Sequence, residues 1–398
     1  MNLEWVIVGG GIHGVHIAAR LLGQAKVEPE KIRIVDPGDR LLQTWRSCTQ
    51  TTGMKYLRSP AVHQLDLSPW SLDRFAGHPK TRKPDLFAPP YDRPKLTLFN
   101  DHCNQVIETY NLQALHIQAR ATRCSVSCDG VRMSLSNDTD ISAANVVLAI
   151  GMSEQPEWPS WAPKNDERIQ HIFAKDFDGW PSVHHSVAVV GGGISAGQIA
   201  LRLMHEGHDV HLVSRHCLRE HQFDSDPGWL GPRFMKGFTN EPNMNRRREL
   251  IRSARHKGSV PPDVQVALQS AIRRNELKWH EGEVEKLDPN SSDGIQLVLA
   301  TGALLKVERV LLATGFAAHR PGGALVDDLV EEASLPCATC GYPIVDHSLR
   351  WHPRIFVTGP LAELELGPSS RNISGARRAG DRLVEAALAE QNLDTAQI

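Results

Sequence analysis

The chain has 398 residues, enough for two or three hydrophobic cores of ordinary size. Apolar residues make up 41%, charged residues 23%, and the formal net charge is −2, so no global charge steers it to nucleic acid or to an anionic membrane. No apolar run approaches the span of a bilayer, which excludes a membrane helix.

Strand-like sequence begins at Leu3, which leaves no room for a charged and then apolar leader. The 7 cysteines therefore read as reduced thiols, and the 19 histidines are scattered without metal-ligand spacing. A soluble, cytoplasmic protein without a bound metal is expected.

In chain order, Leu3 to Val8 is a short apolar run of the kind found in buried parallel strands. Gly9, Gly11 and Gly14 follow at the spacing G-x-G-x-x-G, and an apolar helix runs on to Leu22. Gly9 permits a tight strand-to-helix turn, Gly11 lets backbone approach a diphosphate, and Gly14 lets helix pack closely on strand. The free N–H groups at the helix start then face the anion. A second strand, KIRIVD, ends in Asp36, where this arrangement places an acid on a ribose hydroxyl.

Residues 60–94 are rich in proline and poor in strand signals, and read as a long loop across the domain. Leu96, Phe99, Cys103, Val106, Ile107 and Tyr110 then fall at helical spacing. The segment CSVSCDGVRMSLS reads as a hairpin with Cys124 and Cys128 as packing residues, and NVVLAIG as a strand ending at Gly151. Proline and tryptophan mark two junctions, at 156–166 and 177–185.

The glycine pattern then recurs. Val187 to Val190 lead into Gly191, Gly193 and Ala196, with Ser195 inside the turn and a helix through Ile199 to Met204. The strand after it, HDVHLVSRH, has Ser214 where the first copy has its acid, followed by Arg215 and His216. Loss of the carboxylate beside a gained guanidinium is the change expected for a 2′-phosphate. The plainer reading of Arg215 is a solvated arginine at a strand end. Residues 224–238 are turn-rich. Helices are expected over 243–258 and 260–274, with Arg246, Arg247 and Arg248 read as a solvated charge run rather than phosphate ligands. A hairpin over 294–307 and the strand RVLLATG, ending at Gly315, close the second copy as the first was closed.

The repeat therefore covers whole domains. The expected fold class is α/β with two Rossmann-type dinucleotide-binding domains. The first is discontinuous, 1–165 and 312–398, and binds FAD. The second, 183–311, is inserted in it and binds NADPH, with 166–182 as linker. In the loop CATC, two free thiols at Cys337 and Cys340 are the preferred reading over a redox pair, and zinc would need two further ligands.

Several stretches together resemble the class B flavoprotein monooxygenases, nearest to the ornithine and lysine N-hydroxylase group. They are DPGDRLLQTW, which contains Trp45; TTGMKYLRSP; VVGGGISAGQIA; ATGF, at 313–316; and the tail from IFVTGP onward, which contains Gly359 and Gly367. The resemblance implies a flavin fold, NADPH as reductant, and O2 and a small amine or other soft nucleophile as substrates, oxygenated through a flavin C4a-hydroperoxide. It also implies that Trp45 lies under the flavin. The last helix, starting near Gly367 to Ser374, would aim its N-terminus at the ring and stabilise reduced flavin.

Arg58, in YLRSP, falls near a substrate-holding lysine of that group, and would there pair with a carboxylate; a surface arginine is the equal alternative. Asn240, in FTNEP, resembles a substrate-reaching asparagine at loose spacing, and that role is not expected. The sequence departs from the group at three places. Ile12-His13 stand where a proline is usual, Ile194 where a glutamine is common, and RIQHIF keeps His171 of the signature F-x-G-x-x-x-H without its start. Two rivals remain open: an NADPH-dependent flavin reductase using Cys337 and Cys340, and a flavin-binding protein without oxygen chemistry.

Overall fold

The computed structural model describes residues 3–396 apart from 178, 181–182 and 292–293, so part of the expected junction at 177–185 lies outside the described residues. Two parallel sheets carry the chain. The strand Leu3–Val8 lies between Ile32–Asp36 and Asp140–Leu148, both parallel to it. His116–Gln118 extends the sheet on one side, and Ile355–Val357 with antiparallel Arg350–His352 on the other. The hairpin Ala121–Ser127 and Gly130–Leu135 hangs from the start of Asp140–Leu148. Val6, Ile7, Ile34, Val146 and Val147 are buried, as a sheet covered on both faces requires.

In the second sheet Ser186–Val190 is flanked by parallel Asp209–Ser214 and Arg309–Leu312, with Lys278–Glu281 outermost on one edge. The other edge is a correction to the sequence reading. Ile169–His171, expected inside a linker, pairs parallel with Arg309–Leu312 and completes this sheet. Three residues are too few to show a strand period, and this strand is made by its partner. Val284–Ser291, Gly294–Leu299 and Leu304–Val307 form a separate antiparallel sheet.

The expected helices are present as Leu96–Thr109, Met244–Ala254 and Pro262–Arg273, the last with proline in its first turn. The loop at 60–94 holds a short helix, Ser71–Phe75, a 3-10 turn, Pro84–Leu86, and a two-residue pairing of Phe87–Ala88 with Arg93–Pro94. It reaches the second sheet's domain through Arg93, whose guanidinium donates to Asp263, and through Tyr91, whose ring meets Phe223. A small core of Met235, Phe238, Ile251, Tyr342 and Leu364 joins residues 235–251 to residues 342–364.

Candidate functional site

The two glycine turns share one backbone contact. Gly9 has φ +112°, and a Cβ there would stand 2.5 Å from the carbonyl oxygen of Ala149. Gly191 has φ +153°, and its Cβ would stand 2.5 Å from the carbonyl oxygen of Ala313. Each alanine lies two residues before the glycine that closes its copy, Gly151 or Gly315. At Gly14 a Cβ would fall 1.8 Å from the carbonyl oxygen of Gly9, so the helix Ile12–Gly23 sits against the turn only because that atom is missing. In the second copy Ala196 holds this place, fully buried.

Gly11 differs from its neighbours, because nothing lies within 4 Å of where its Cβ would be. Gly193 is nearly as open, its nearest neighbour being the Cα of Gly258 at 3.8 Å. Both glycines cap their helices without any side chain accepting from the free N–H groups. Two open, positively polarised helix ends at the carboxyl edge of parallel strands fit two dinucleotide diphosphates.

Asp36 accepts from the N–H of Gly10 at 2.7 Å and of Gly38 at 2.8 Å, which locks the first turn to the end of its neighbouring strand. Ser214, in the corresponding place, accepts from Trp279 Nε1 at 3.0 Å and donates to the carbonyl of His216 at 2.9 Å. This fixes the bend that leaves Arg215 exposed. The His216 ring lies across Gly192 and Gly258, within 3.1 Å and 2.6 Å of where their Cβ atoms would be. Ser195 lies half-buried in the first turn of the second helix.

Trp45 spends its indole N–H on Asn100 at 3.1 Å and packs on Phe99, which ties its helix, Gln43–Thr52, to Leu96–Thr109. Gly151 and Gly315 have open space around their Cα hydrogens. Gly359 and Gly367 adopt left-handed φ of +65° and +77°, and Met235 Sδ stands 3.1 Å from where a Cβ on Gly367 would be.

Arg58 is corrected. Its Nε and one Nη donate to the carbonyls of His221, Gln222 and Phe223 and to Ser259 Oγ, while the other Nη pairs with Asp224 at 3.3 Å. These contacts commit Nε and one Nη of the guanidinium to residues 221–223 and 259. The arginine run is corrected too. Arg246 is exposed beside Glu249, but Arg247 and Arg248 are buried. Arg247 pairs with Glu365 at 3.1 Å, and Arg248 pairs with Glu363. Glu363 is fully buried and also meets Arg255 at 3.0 Å and Arg371 at 2.9 Å.

Asn240 is exposed at the end of Pro232–Thr239. His171 is wholly buried against Trp158 and Phe173, accepts from the Phe173 N–H at 3.2 Å, and is pushed down to about pKa 4 by burial. Cys337 and Cys340 are free thiols, and burial raises the pKa of Cys337, the opposite of what a nucleophilic thiolate needs. Among the described residues no group of three His, Cys, Asp or Glu side chains could hold a metal.

Two parallel sheets with a repeated glycine turn define the class as a two-dinucleotide α/β oxidoreductase. The family model described as FAD-NAD(P)-binding matches residues 6–153. The model for L-lysine 6-monooxygenase/L-ornithine 5-monooxygenase matches residues 102–318, more than half of the chain, and the chain belongs to that family of FAD- and NADPH-dependent monooxygenases. No curated protein sequence matches it.

Among solved structures it is similar to the ornithine N-hydroxylase of Kutzneria sp. 744, at 17% identity, TM-score 0.76, and coverage of 98% of this chain and 100% of that one. The FAD-bound cadaverine monooxygenase of Erwinia amylovora matches at 15% identity, TM-score 0.75, covering 98% and 95%. The bacillithiol disulfide reductase of Staphylococcus aureus shares the fold at 12% identity, TM-score 0.65, covering 98% and 99%.

Proposed function

We propose that the chain N-hydroxylates a small amine in the cytoplasm, with residues 1–165 and 312–398 holding FAD and the insert 183–311 holding NADPH. The observation that carries the reading is the duplicated turn, with open space at Gly11 and Gly193, in a chain of this family. Flavin held there would supply the oxygen chemistry, with NADPH as reductant and O2 as oxidant.

The protein's part is placement. Gly9, Gly11 and Gly14 present backbone N–H groups to the flavin diphosphate, and Asp36 keeps an edge for the adenosine ribose. Trp45, Gly151, Gly359 and Gly367 border the rest of that cofactor. Gly191, Gly193 and Ser195 do the same for NADPH, with Arg215 on its 2′-phosphate and Gly315 at the crossing between domains. The start of the last helix, Ile373–Ala396, adds its positive end beside the flavin.

The experiment is a panel of ornithine, lysine and cadaverine with the FAD-loaded protein, NADPH and air, read by mass spectrometry. A product heavier by one oxygen on nitrogen supports the reading. NADPH consumption giving only hydrogen peroxide with every amine counts against it. The reductase reading draws on the similarity to the disulfide reductase. Serine at both Cys337 and Cys340 leaves turnover unchanged if the present reading holds.

A further inference from the structure

Just before the last helix the charges do not balance. Glu363 Oε2 meets Arg371 Nε at 2.9 Å and one Nη of Arg255 at 3.0 Å, while Arg248 takes Oε1. The neighbouring carboxylates are already engaged. Asp224 pairs with Arg58 at 3.3 Å, and Glu365 is shared by Arg247 and Arg382. The Tyr342 hydroxyl accepts from Arg371 at 3.3 Å, but it gives its own proton to the carbonyl of His319 at 3.0 Å and brings no negative charge. Lys257 stands in the field of Arg255 and Arg371, exposed and without an ion pair among the described residues.

The surplus is felt by its members. Burial, and then the charge of Arg371, pulls Arg255 down to about 9, and burial with the charges of Arg255 and Arg371 lowers Lys257. Cations that repel one another in a partly dry place are costly until an anion joins them. They also have donors to offer. The second Nη of Arg255 and that of Arg371 make no hydrogen bond among the described residues, and both reach solvent. Two such nitrogens beside a lysine suit the oxygens of a phosphate or of carboxylates.

Their place in the fold gives the group a role. Arg371 stands two residues before Ile373–Ala396, and Arg255 donates to the carbonyl of Pro368 at 3.1 Å. One residue past Lys257, the Cα of Gly258 lies 3.8 Å from where a Cβ on Gly193 would be. The cations therefore lie between the start of the last helix and the second glycine turn, the two edges given above to flavin and to NADPH.

We propose that Arg255, Arg371 and Lys257 form an oxyanion subsite, and that the amine oxygenated by this protein carries a dianionic group, either a phosphate or a pair of carboxylates. The inference rests on the monooxygenase reading and narrows its substrate class. A bare diamine is repelled by the same charges.

Calorimetric titration of the FAD-loaded protein at pH 8, with and without NADP+, tests it with O-phosphoethanolamine, glutamate, ornithine and cadaverine. One of the first two is expected to bind at least roughly tenfold tighter than cadaverine, and the tighter of them names the anion. Lys257 is exposed, so its replacement spares the fold. Lys257→Ala weakens the dianionic amine by about tenfold and Lys257→Glu by about a hundredfold. Equal affinity for all four amines, or dianion binding that Lys257→Glu leaves unchanged, would overturn the proposal. Dianion binding that NADP+ abolishes would also overturn it, giving the cations to the nicotinamide cofactor. Oxygenation of all four amines with equal kcat/KM would remove the subsite and spare the monooxygenase reading. A dianionic amine that binds tightly and is never oxygenated would do the reverse.

Discussion

Gly11 and Gly14 are separated by one turn of helix yet forbid a side chain for different reasons. At Gly14 an added methyl meets the carbonyl of Gly9 at 1.8 Å, so Gly14→Ala must distort the turn in the free protein. At Gly11 the same methyl meets nothing within 4 Å. Gly11→Ala is therefore expected to leave the melting temperature of the flavin-free chain within about 2 °C, the shift of a few tenths of a kcal/mol. It weakens FAD by tenfold or more, because the methyl occupies space the diphosphate needs. Gly14→Ala lowers both. Equal effects of the two substitutions on the free protein would contradict this division.

The buried histidines set an acid limit at the same scale. Burial holds His16 at about 3 and His171 at about 4, against about 6.5 for an exposed ring. Between those values the unfolded chain binds protons that the native chain refuses, so stability falls as pH drops from about 6.5 toward 4, by at most about 3 kcal/mol for His171. Urea midpoints at pH 7 and pH 5 check this. His171→Asn flattens the dependence if the account is right, and a midpoint that rises with acid in the wild type would contradict it.

At the scale of elements, charge joins residues 247–255 to residues 363–365. Met244–Ala254 and the residue after it supply Arg247, Arg248 and Arg255 to Glu363 and Glu365 on the short segment before the last helix. Glu363→Ala leaves three guanidinium groups around an empty place and is expected to cost about 3–5 kcal/mol, seen as a lower urea midpoint. Arg246→Ala, on the exposed side of the same helix, changes stability by less than about 0.5 kcal/mol. Similar costs for the two would show that the pairing does not hold the parts together.

This cluster was not legible in the sequence. A run of three arginines on a helix looks solvated, and its partners lie more than 100 residues away. The acceptors of Arg58 were hidden for the same reason, since they are backbone carbonyls of a loop that no pattern connects to it. The strand Ile169–His171 was hidden by its length. The glycine turns were legible because their requirement is local: a missing Cβ, a preceding apolar strand and a following helix are all written within twenty residues.

At the scale of the whole molecule, the two copies differ at the end of their second strand. Asp36 ends one strand, while Ser214 and Arg215 end its counterpart. Arg215 is exposed, so its removal should not disturb the fold. Arg215→Ala is expected to raise KM for NADPH about tenfold, leave KM for NADH unchanged, and leave the flavin's binding untouched. A parallel rise for both nucleotides would place the arginine's effect elsewhere than the 2′-phosphate.

The most direct test of the central claim is a two-stage rapid-mixing experiment on the FAD-loaded chain. It is first reduced with NADPH without oxygen, then mixed with aerated buffer while the flavin spectrum is followed. For an NADPH-dependent monooxygenase the account predicts full reduction, then an oxygen-dependent species, distinct from both reduced and oxidised flavin, that decays faster when an amine substrate is present. Failure of NADPH to reduce the flavin, or direct return to the oxidised spectrum with no such species, would contradict it.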